Sequence, residues 1–139
     1  MRVMVLIKAD EQAEAGQLPD EELISGMLKF NEDLVRAGVM LAGEGLHPSS
    51  RGVKVNWSGG KVTVVDGPFT EAKEIIAGFW MWQVKSMDEA IEWVKRMPSP
   101  GGQEGTIEIR EIFESAEFGE HMTEEQREQD ERIRAQLGQ

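Results

Sequence analysis

The residues best suited to chemistry lie between positions 62 and 74, where a β-branched run ends in Asp66-Gly67-Pro68-Phe69. The Asp66 carboxylate can accept hydrogen bonds from the amides of this turn. It can also act as a general acid or base if apolar side chains surround it, and Phe69, Trp80 and Trp82 are near enough in the sequence to do so. Asp66 is therefore the candidate catalytic residue.

Three other side chains are candidates for the same cleft. Lys73 can stabilise a developing oxyanion. Glu44 lies between Gly43 and Gly45, so its carboxylate is sterically accessible, although a turn carboxylate without a role is the commoner situation. His47, one of two histidines, follows in a loop, where a histidine is more often solvated than catalytic. Glu44 or His47 could supply a second proton-transfer group.

Composition excludes several classes of function. The chain has 139 residues, no cysteine and a formal net charge of −11, which rules out thiol chemistry and disfavours nucleic acid as a partner. The two histidines and the scattered carboxylates match no metal-ligand spacing, and no nucleotide motif is present, so neither metal nor cofactor is predicted. No apolar run approaches the ~18 residues of a membrane span, and no secretory signal is evident, which favours a cytoplasmic protein.

Local patterns define the elements that would position these residues. Capping residues open three helices, at Asp20, Ser86 and Thr123, and Gly38 ends the first of them. The segment 10–19 is polar and is interpreted as a solvated surface loop. Strands are predicted at 2–8, 39–42, 52–57, 61–65, 78–84 and 106–112, with a hairpin turn at Ser58-Gly59-Gly60.

Without the hairpin, the order of elements is βαββαβ. This order predicts an α+β, ferredoxin-like domain over residues 1–112 with an inserted β-hairpin, followed by an acidic linker and C-terminal helix over 113–139. Residues 111–139 carry nine Asp and Glu against three Arg. Strand 78–84 has apolar side chains on both faces, and two helices can cover only one face of its sheet. A partner's sheet is the expected second cover, so we predict a homodimer.

The stretch Asp66 to Glu74, with Ala77-Gly78-Phe79 after it, resembles the DGPF signature of YCII-related proteins. Similarity extends to residues 31–38, 42–46 and 87–93. The resemblance implies a dimeric ferredoxin-like fold of the α/β-barrel type. It also suggests a link to sigma-factor circuits, because DGPF proteins are often encoded beside extracytoplasmic-function sigma factors.

Some YCII-related proteins have a proposed His and Asp acid/base pair, and at least one relative is a dehydrochlorinase. That histidine lies on the first helix, where this chain has none. By its spacing from Gly38, the nearest equivalent is Met27. The histidine-dependent mechanism therefore does not transfer to this sequence.

Two functional hypotheses remain open. The favoured one is a dimeric module that binds a small ligand or regulates a partner, with the C-terminal helix as a possible protein-docking element. The alternative is an enzyme that catalyses proton transfer or elimination on a small organic molecule, with Asp66 as acid or base. The residues alone identify no substrate and do not decide whether turnover occurs.

Overall fold

The computed structural model describes residues 1–71, 74–98 and 105–139. Within these ranges the chain forms six strands and four α-helices. The strands are β1 (Arg2–Lys8), β2 (Met40–Gly45), β3 (Val53–Ser58), β4 (Lys61–Asp66), β5 (Ile76–Gln83) and β6 (Ile107–Glu111). The helices are α1 (Glu11–Glu14), α2 (Glu21–Arg36), α3 (Met87–Lys95) and α4 (Glu124–Gln136). None of the helices in the described ranges is long and apolar enough to cross a membrane.

Four of the strands form one antiparallel sheet in the order β2-β5-β1-β6. Strands β3 and β4 form a separate two-stranded antiparallel sheet. The predicted α+β class is confirmed, and the strand order is compatible with a ferredoxin-like fold. The segment 10–19, interpreted from sequence as an open loop, contains the short helix α1, so that interpretation was wrong.

The two core helices begin where the sequence places capping residues. The Asp20 side chain accepts a hydrogen bond from the Leu23 amide at 2.8 Å, and the Ser86 hydroxyl accepts one from the Glu89 amide at 3.1 Å. Gly38 follows the C-terminus of α2 with φ +73°, in the left-handed region. A residue with a side chain is disfavoured in this conformation. These local bonds fix where each helix starts and stops.

The core lies between the helices and one face of the sheet. Phe30 of α2 packs edge-on against three indoles, with centroid distances of 5.7 Å to Trp80, 6.3 Å to Trp82 and 6.3 Å to Trp93. Trp80 is 3% exposed and Trp82 is fully buried. These two tryptophans, predicted as walls of a cleft, are core residues because their side chains project towards the helices.

The opposite face of the sheet is also apolar along its centre. The register pairs Met4 with Met81 and Leu6 with Phe79, so these four side chains lie together on the face away from Phe30. Charged residues lie further out, where Lys8 and Glu108 approach to 3.4 Å. We call this surface the free sheet face.

The C-terminal segment is attached to the sheet through an ion pair. Arg2 of β1 donates two hydrogen bonds to Glu114, from Nε at 2.8 Å and from Nη2 at 3.0 Å. The hydrogen bond from Arg2 holds the pKa of the Glu114 carboxyl below its usual value. Beyond it, a 3₁₀ segment (Ser115–His121) leads into α4, which has no buried residue.

The Arg2–Glu114 pair makes attachment of the tail pH-dependent. Because the pKa of Glu114 is lowered in the folded chain, its contribution is present at neutral pH and is lost as the pH falls through that lowered pKa. We expect Glu114→Gln to reduce the thermal unfolding temperature slightly at pH 7, and the difference from wild type to vanish at a pH below the lowered pKa of Glu114. Scanning calorimetry across this range measures it. An equal difference at both pH values would contradict the assignment.

Candidate binding site

The turn at Asp66–Phe69 is packed directly against the loop that follows β2. The Gly67 amide donates a hydrogen bond to the Gly52 carbonyl at 2.9 Å, and the Phe69 amide donates one to Ser49 Oγ at 2.9 Å. A Cβ atom on Gly67 would lie 1.8 Å from the Ser49 carbonyl oxygen. The Gly67–Pro68 peptide bond is cis. Only glycine fits at position 67 because a backbone oxygen occupies the space of a side chain.

Ser49 is held from its other side by Glu14 of α1. The Ser49 amide donates to Glu14 Oε1 at 2.9 Å, and the Ser49 hydroxyl donates to Oε2 at 2.5 Å. Ser49 is 6% exposed, and its hydroxyl both donates to Glu14 and accepts from Phe69. Glu14 is therefore a structural residue that joins α1 to this loop, rather than part of a solvated run.

Two cavities open beside this loop. The first, of about 510 Å³, is lined by charged side chains among others, including Arg51, Lys54, Glu71 and Glu74, and we call it the charged cavity. The second, of about 580 Å³, is lined mainly by carbon and we call it the apolar cavity. Its walls include Ile7, Leu18, Leu23, Met27 and Met97.

The two cavities share Leu46, His47 and Pro48. His47 is exposed, and Arg51 Nη1 lies 3.1 Å from its Nε2 and 3.3 Å from its Nδ1. A guanidinium group can only donate hydrogen bonds, so the imidazole nitrogen that bonds to Arg51 accepts. Among the described residues no carboxylate hydrogen-bonds to His47, so the structure contains no His–carboxylate pair of the acid/base kind at this position.

Lys54 lies above the ring of Phe69, with Nζ 4.4 Å from the ring centroid. Such contacts are attractive because the face of an aromatic ring is electron-rich. Neither Lys54 nor Arg51 forms an ion pair with a carboxylate in the part of the chain that the structure describes. Both cations line the charged cavity and keep hydrogen-bonding capacity for a ligand.

The structure brings together two of the seven residues predicted from sequence. His47 and Phe69 both line the charged cavity. Asp66 lies exposed at the end of β4, opposite Val53, and is not among the residues that line either cavity. The apolar surroundings that a catalytic role for Asp66 requires are therefore not observed around it.

Three of the other four predicted residues lie elsewhere, and the fourth is outside the described residues. Glu44 is exposed in β2, opposite Phe79, and does not line either cavity. Trp80 and Trp82 belong to the core, and Lys73 lies outside the described residues. The described residues contain no group of three or more His, Cys, Asp or Glu that could hold a metal ion.

Sequence reasoning missed Glu14, Ser49, Arg51 and Lys54. The bonds between Glu14 and Ser49 span 35 positions, and no local pattern indicates them. A signal for the two cations was present, since the stretch 45–65 contains Arg51, Lys54 and Lys61 but no acidic residue. That stretch stands out in a chain of net charge −11.

The chain is an α+β domain with a four-stranded antiparallel sheet. The loop that follows β2 lines both cavities. The model of the YCII-related domain matches residues 1–116, and the chain belongs to this family. An uncharacterised protein of Rhizobium meliloti (strain 1021) is 28% identical over 93 residues, which cover 67% of this chain and 75% of the relative. Neither description specifies an activity.

One residue of the apolar cavity, Met27, bears on the resemblance to enzymatic relatives. This residue stands where the resemblance to enzymatic relatives expects a histidine, and its side chain lines the apolar cavity. His47 reaches the same cavity from the loop after β2. The position expected to carry a catalytic group therefore carries a thioether, and the imidazole at this cavity bonds to a guanidinium group.

The close contact at Gly67 yields a stability prediction. Gly67→Ala places a methyl group against the Ser49 carbonyl, so the turn and the loop must separate, and we expect the free energy of unfolding to fall by about 2 kcal/mol or more. Urea unfolding measures the change. Gly45→Ala is the matched control, because a Cβ there meets nothing within 4 Å. Equal stability of the two variants would contradict the interpretation.

Proposed function

We propose that this protein is a homodimeric module that binds a small organic molecule with an apolar body and one anionic group. The observation that carries the proposal is the junction of the two cavities at Leu46, His47 and Pro48. One cavity is walled by carbon, and the other contains two cations that lack carboxylate partners among the described residues. A ligand that spans the junction would bury its body in the first and place its charge in the second.

The apolar cavity supplies the larger part of the expected affinity. Its volume of about 580 Å³ is within the range of small-molecule sites, and each methylene group buried there contributes about 0.8 kcal/mol. His47 is the sole titratable side chain among its described lining residues. Binding of a charged group at this end of the site is therefore disfavoured, since it would lose water without gaining a partner.

The charged cavity sets the polarity of the ligand. Arg51 offers guanidinium donors in a planar fork that matches a carboxylate, and Lys54 adds a second cation. Glu71 and Glu74 line the same cavity, so a ligand with a single negative charge fits better than one with several. A monocarboxylate with an aliphatic or aromatic body satisfies both cavities.

Binding is favoured over catalysis by the placement of the candidate acids and bases. Asp66 is exposed, Met27 is the nearest equivalent by spacing of the helix-borne histidine that the resemblance implies, and His47 bonds to Arg51. Proton transfer centred on Asp66 is therefore the weaker candidate. A regulatory role in a sigma-factor circuit, which the resemblance suggests, would use the joined cavities as its sensor.

Calorimetric titration with matched probes tests this proposal. We expect octanoate to bind more tightly than octanamide, and octylamine to bind least. Arg51→Gln should weaken octanoate binding tenfold or more, because it removes the charge that faces the carboxylate while keeping a similar length. Asp66→Asn, which changes charge at an exposed position outside both cavities, should leave the affinity within about twofold. Equal affinity for octylamine, or an unchanged affinity in Arg51→Gln, would overturn the proposal.

The homodimer part of the proposal rests on the free sheet face. Met4, Leu6, Phe79 and Met81 form a continuous apolar stripe on the side of the sheet opposite the helices. A second copy related by a twofold axis would present the same stripe, so an apolar surface would meet an apolar surface. The acidic tail helix, with Ile133 and Leu137 exposed, is a further candidate surface for a protein partner.

A charge placed on the free sheet face should separate the protomers. We expect light scattering to give a mass of about 31 kDa for wild type at about 10 µM, twice that of one chain, and a monomer for Met81→Arg, because the guanidinium group would be buried without a partner. Gln136→Arg adds the same charge at an exposed position of α4 and should remain dimeric. A monomeric wild type at this concentration would refute the homodimer.

A further inference from the structure

Strands β3 and β4 form a ribbon that stands apart from the main sheet. We call residues 53–66, with the Gly59-Gly60 turn at the tip, the arm. All twelve strand residues of the arm are exposed, and neither strand pairs with the four-stranded sheet. A two-stranded ribbon without a packing partner is marginally stable in water. Its stability therefore calls for a surface against which one face can pack.

The two faces of the arm differ sharply in chemistry. The register pairs Val55 with Val64 and Trp57 with Val62, which places apolar side chains on one face. This apolar face consists of Val53, Val55, Trp57, Val62 and Val64, with exposed fractions of 42 to 78%. The other face carries mainly polar side chains: Lys54, Asn56, Ser58, Lys61 and Thr63. At the base of the arm, Asp66 lies on the apolar face opposite Val53, and Val65 lies on the polar face opposite Lys54. The alternation along the rest of the arm is typical of a strand pair that is half-buried in its working state.

The total accessible surface supports a large contact with another molecule. The chain exposes 10,526 Å², whereas a folded monomer of 15.6 kDa is expected to expose about 7,300 Å². The excess, about 3,000 Å² for one chain, includes the surfaces of the arm strands and of α4, in which no residue is buried. A surplus of this size leaves room for an interface with another molecule.

The free sheet face alone does not account for this excess. Four strands about 4.8 Å apart and about six residues long span a plane of only ~400 Å². Even with side-chain relief, that face supplies a minor part of the surplus. The strands of the arm and α4 all lack buried residues, and of these elements the arm carries the more apolar side chains.

Charge indicates which partner the arm fits. The stretch 45–65 carries Arg51, Lys54 and Lys61 with no Asp or Glu, while the remainder of the chain has 26 acidic against 12 basic side chains. Within the arm itself, Lys54 and Lys61 stand against Asp66, a net charge of +1, so the arm is a weakly basic projection on a strongly acidic body. A second copy of the same chain offers an acidic surface that attracts it, and this steers the encounter between protomers.

We propose that the apolar face of the arm packs on a second copy of this chain, with Trp57 as its anchor. This contact extends the homodimer proposed above to a different surface, and each surface can fail independently in experiment. Trp57 is the largest and most exposed side chain of the apolar face. Tryptophan side chains that become buried on binding are among those that contribute most to the binding energy of protein interfaces.

Photo-cross-linking from the arm tests the contact directly in the full-length protein. A benzophenone amino acid placed at position 57 should form cross-links between chains, whereas the same group at position 56 on the polar face should not. Mixing light chains with ¹⁵N-labelled chains identifies inter-chain products by mass. Inter-chain products from both positions, or from neither, would overturn the proposal.

The dimer dissociation constant provides a second test of the proposal. The pair Trp57→Ser and Val64→Ser should raise the dimer dissociation constant tenfold or more, while Asn56→Ser with Thr63→Ser on the polar face should change it less than threefold. If Met81→Arg dissociates the dimer but the apolar-face pair leaves the constant unchanged, the homodimer stands and the arm contact is refuted. A monomeric wild type refutes both.

Amide hydrogen exchange tests the arm contact in the wild-type protein, so its result does not depend on whether the arm variants fold. Exchange in residues 53–66 should slow as the protein concentration rises through the dimer dissociation constant, because docking removes the arm from water. Exchange in α3, which packs on the sheet of its own chain, serves as the internal reference. Arm exchange that is independent of concentration would contradict the proposal.

Discussion

The candidate site depends on one close approach of two backbones. Gly67 lies against the Ser49 carbonyl so closely that a single methyl group would overlap it. This contact, with the bonds from Gly67 to Gly52 and from Phe69 to Ser49, fixes the loop that carries His47 and Arg51. The walls of both cavities follow from the position of that loop.

Three segments distant in sequence meet at Ser49. Glu14 accepts two hydrogen bonds from it, and Phe69 donates one to its hydroxyl, so the serine is satisfied although it is nearly buried. A buried hydroxyl without such partners would be costly, and the four-residue helix α1 supplies the carboxylate that satisfies this one. In this chain, the glycine and the phenylalanine of the Asp66–Phe69 turn hold the loop in place, while the aspartate faces solvent.

Much of the fold could be predicted because its signals are local. The Ser86 cap, the Gly59-Gly60 turn and the two-sided strand around Trp80 each depend on a few neighbouring residues, and the observed elements begin within about two residues of the predicted positions. The site could not be predicted in the same way. Whether Asp66 or His47 lies beside a cavity is decided by bonds such as Glu14 to Ser49, which join positions that share no periodic pattern.

The alternation of residues in β3 links the candidate site to the proposed contact with a second chain. Lys54 projects from the polar face of the arm and reaches the ring of Phe69 in the charged cavity. Val53 and Val55, its neighbours on either side, project from the opposite face. A shift of register by one residue would exchange these faces, placing valine at the cavity and lysine at the contact surface. The same strand can therefore serve both purposes only in the register observed, which the pairing of Val55 with Val64 maintains.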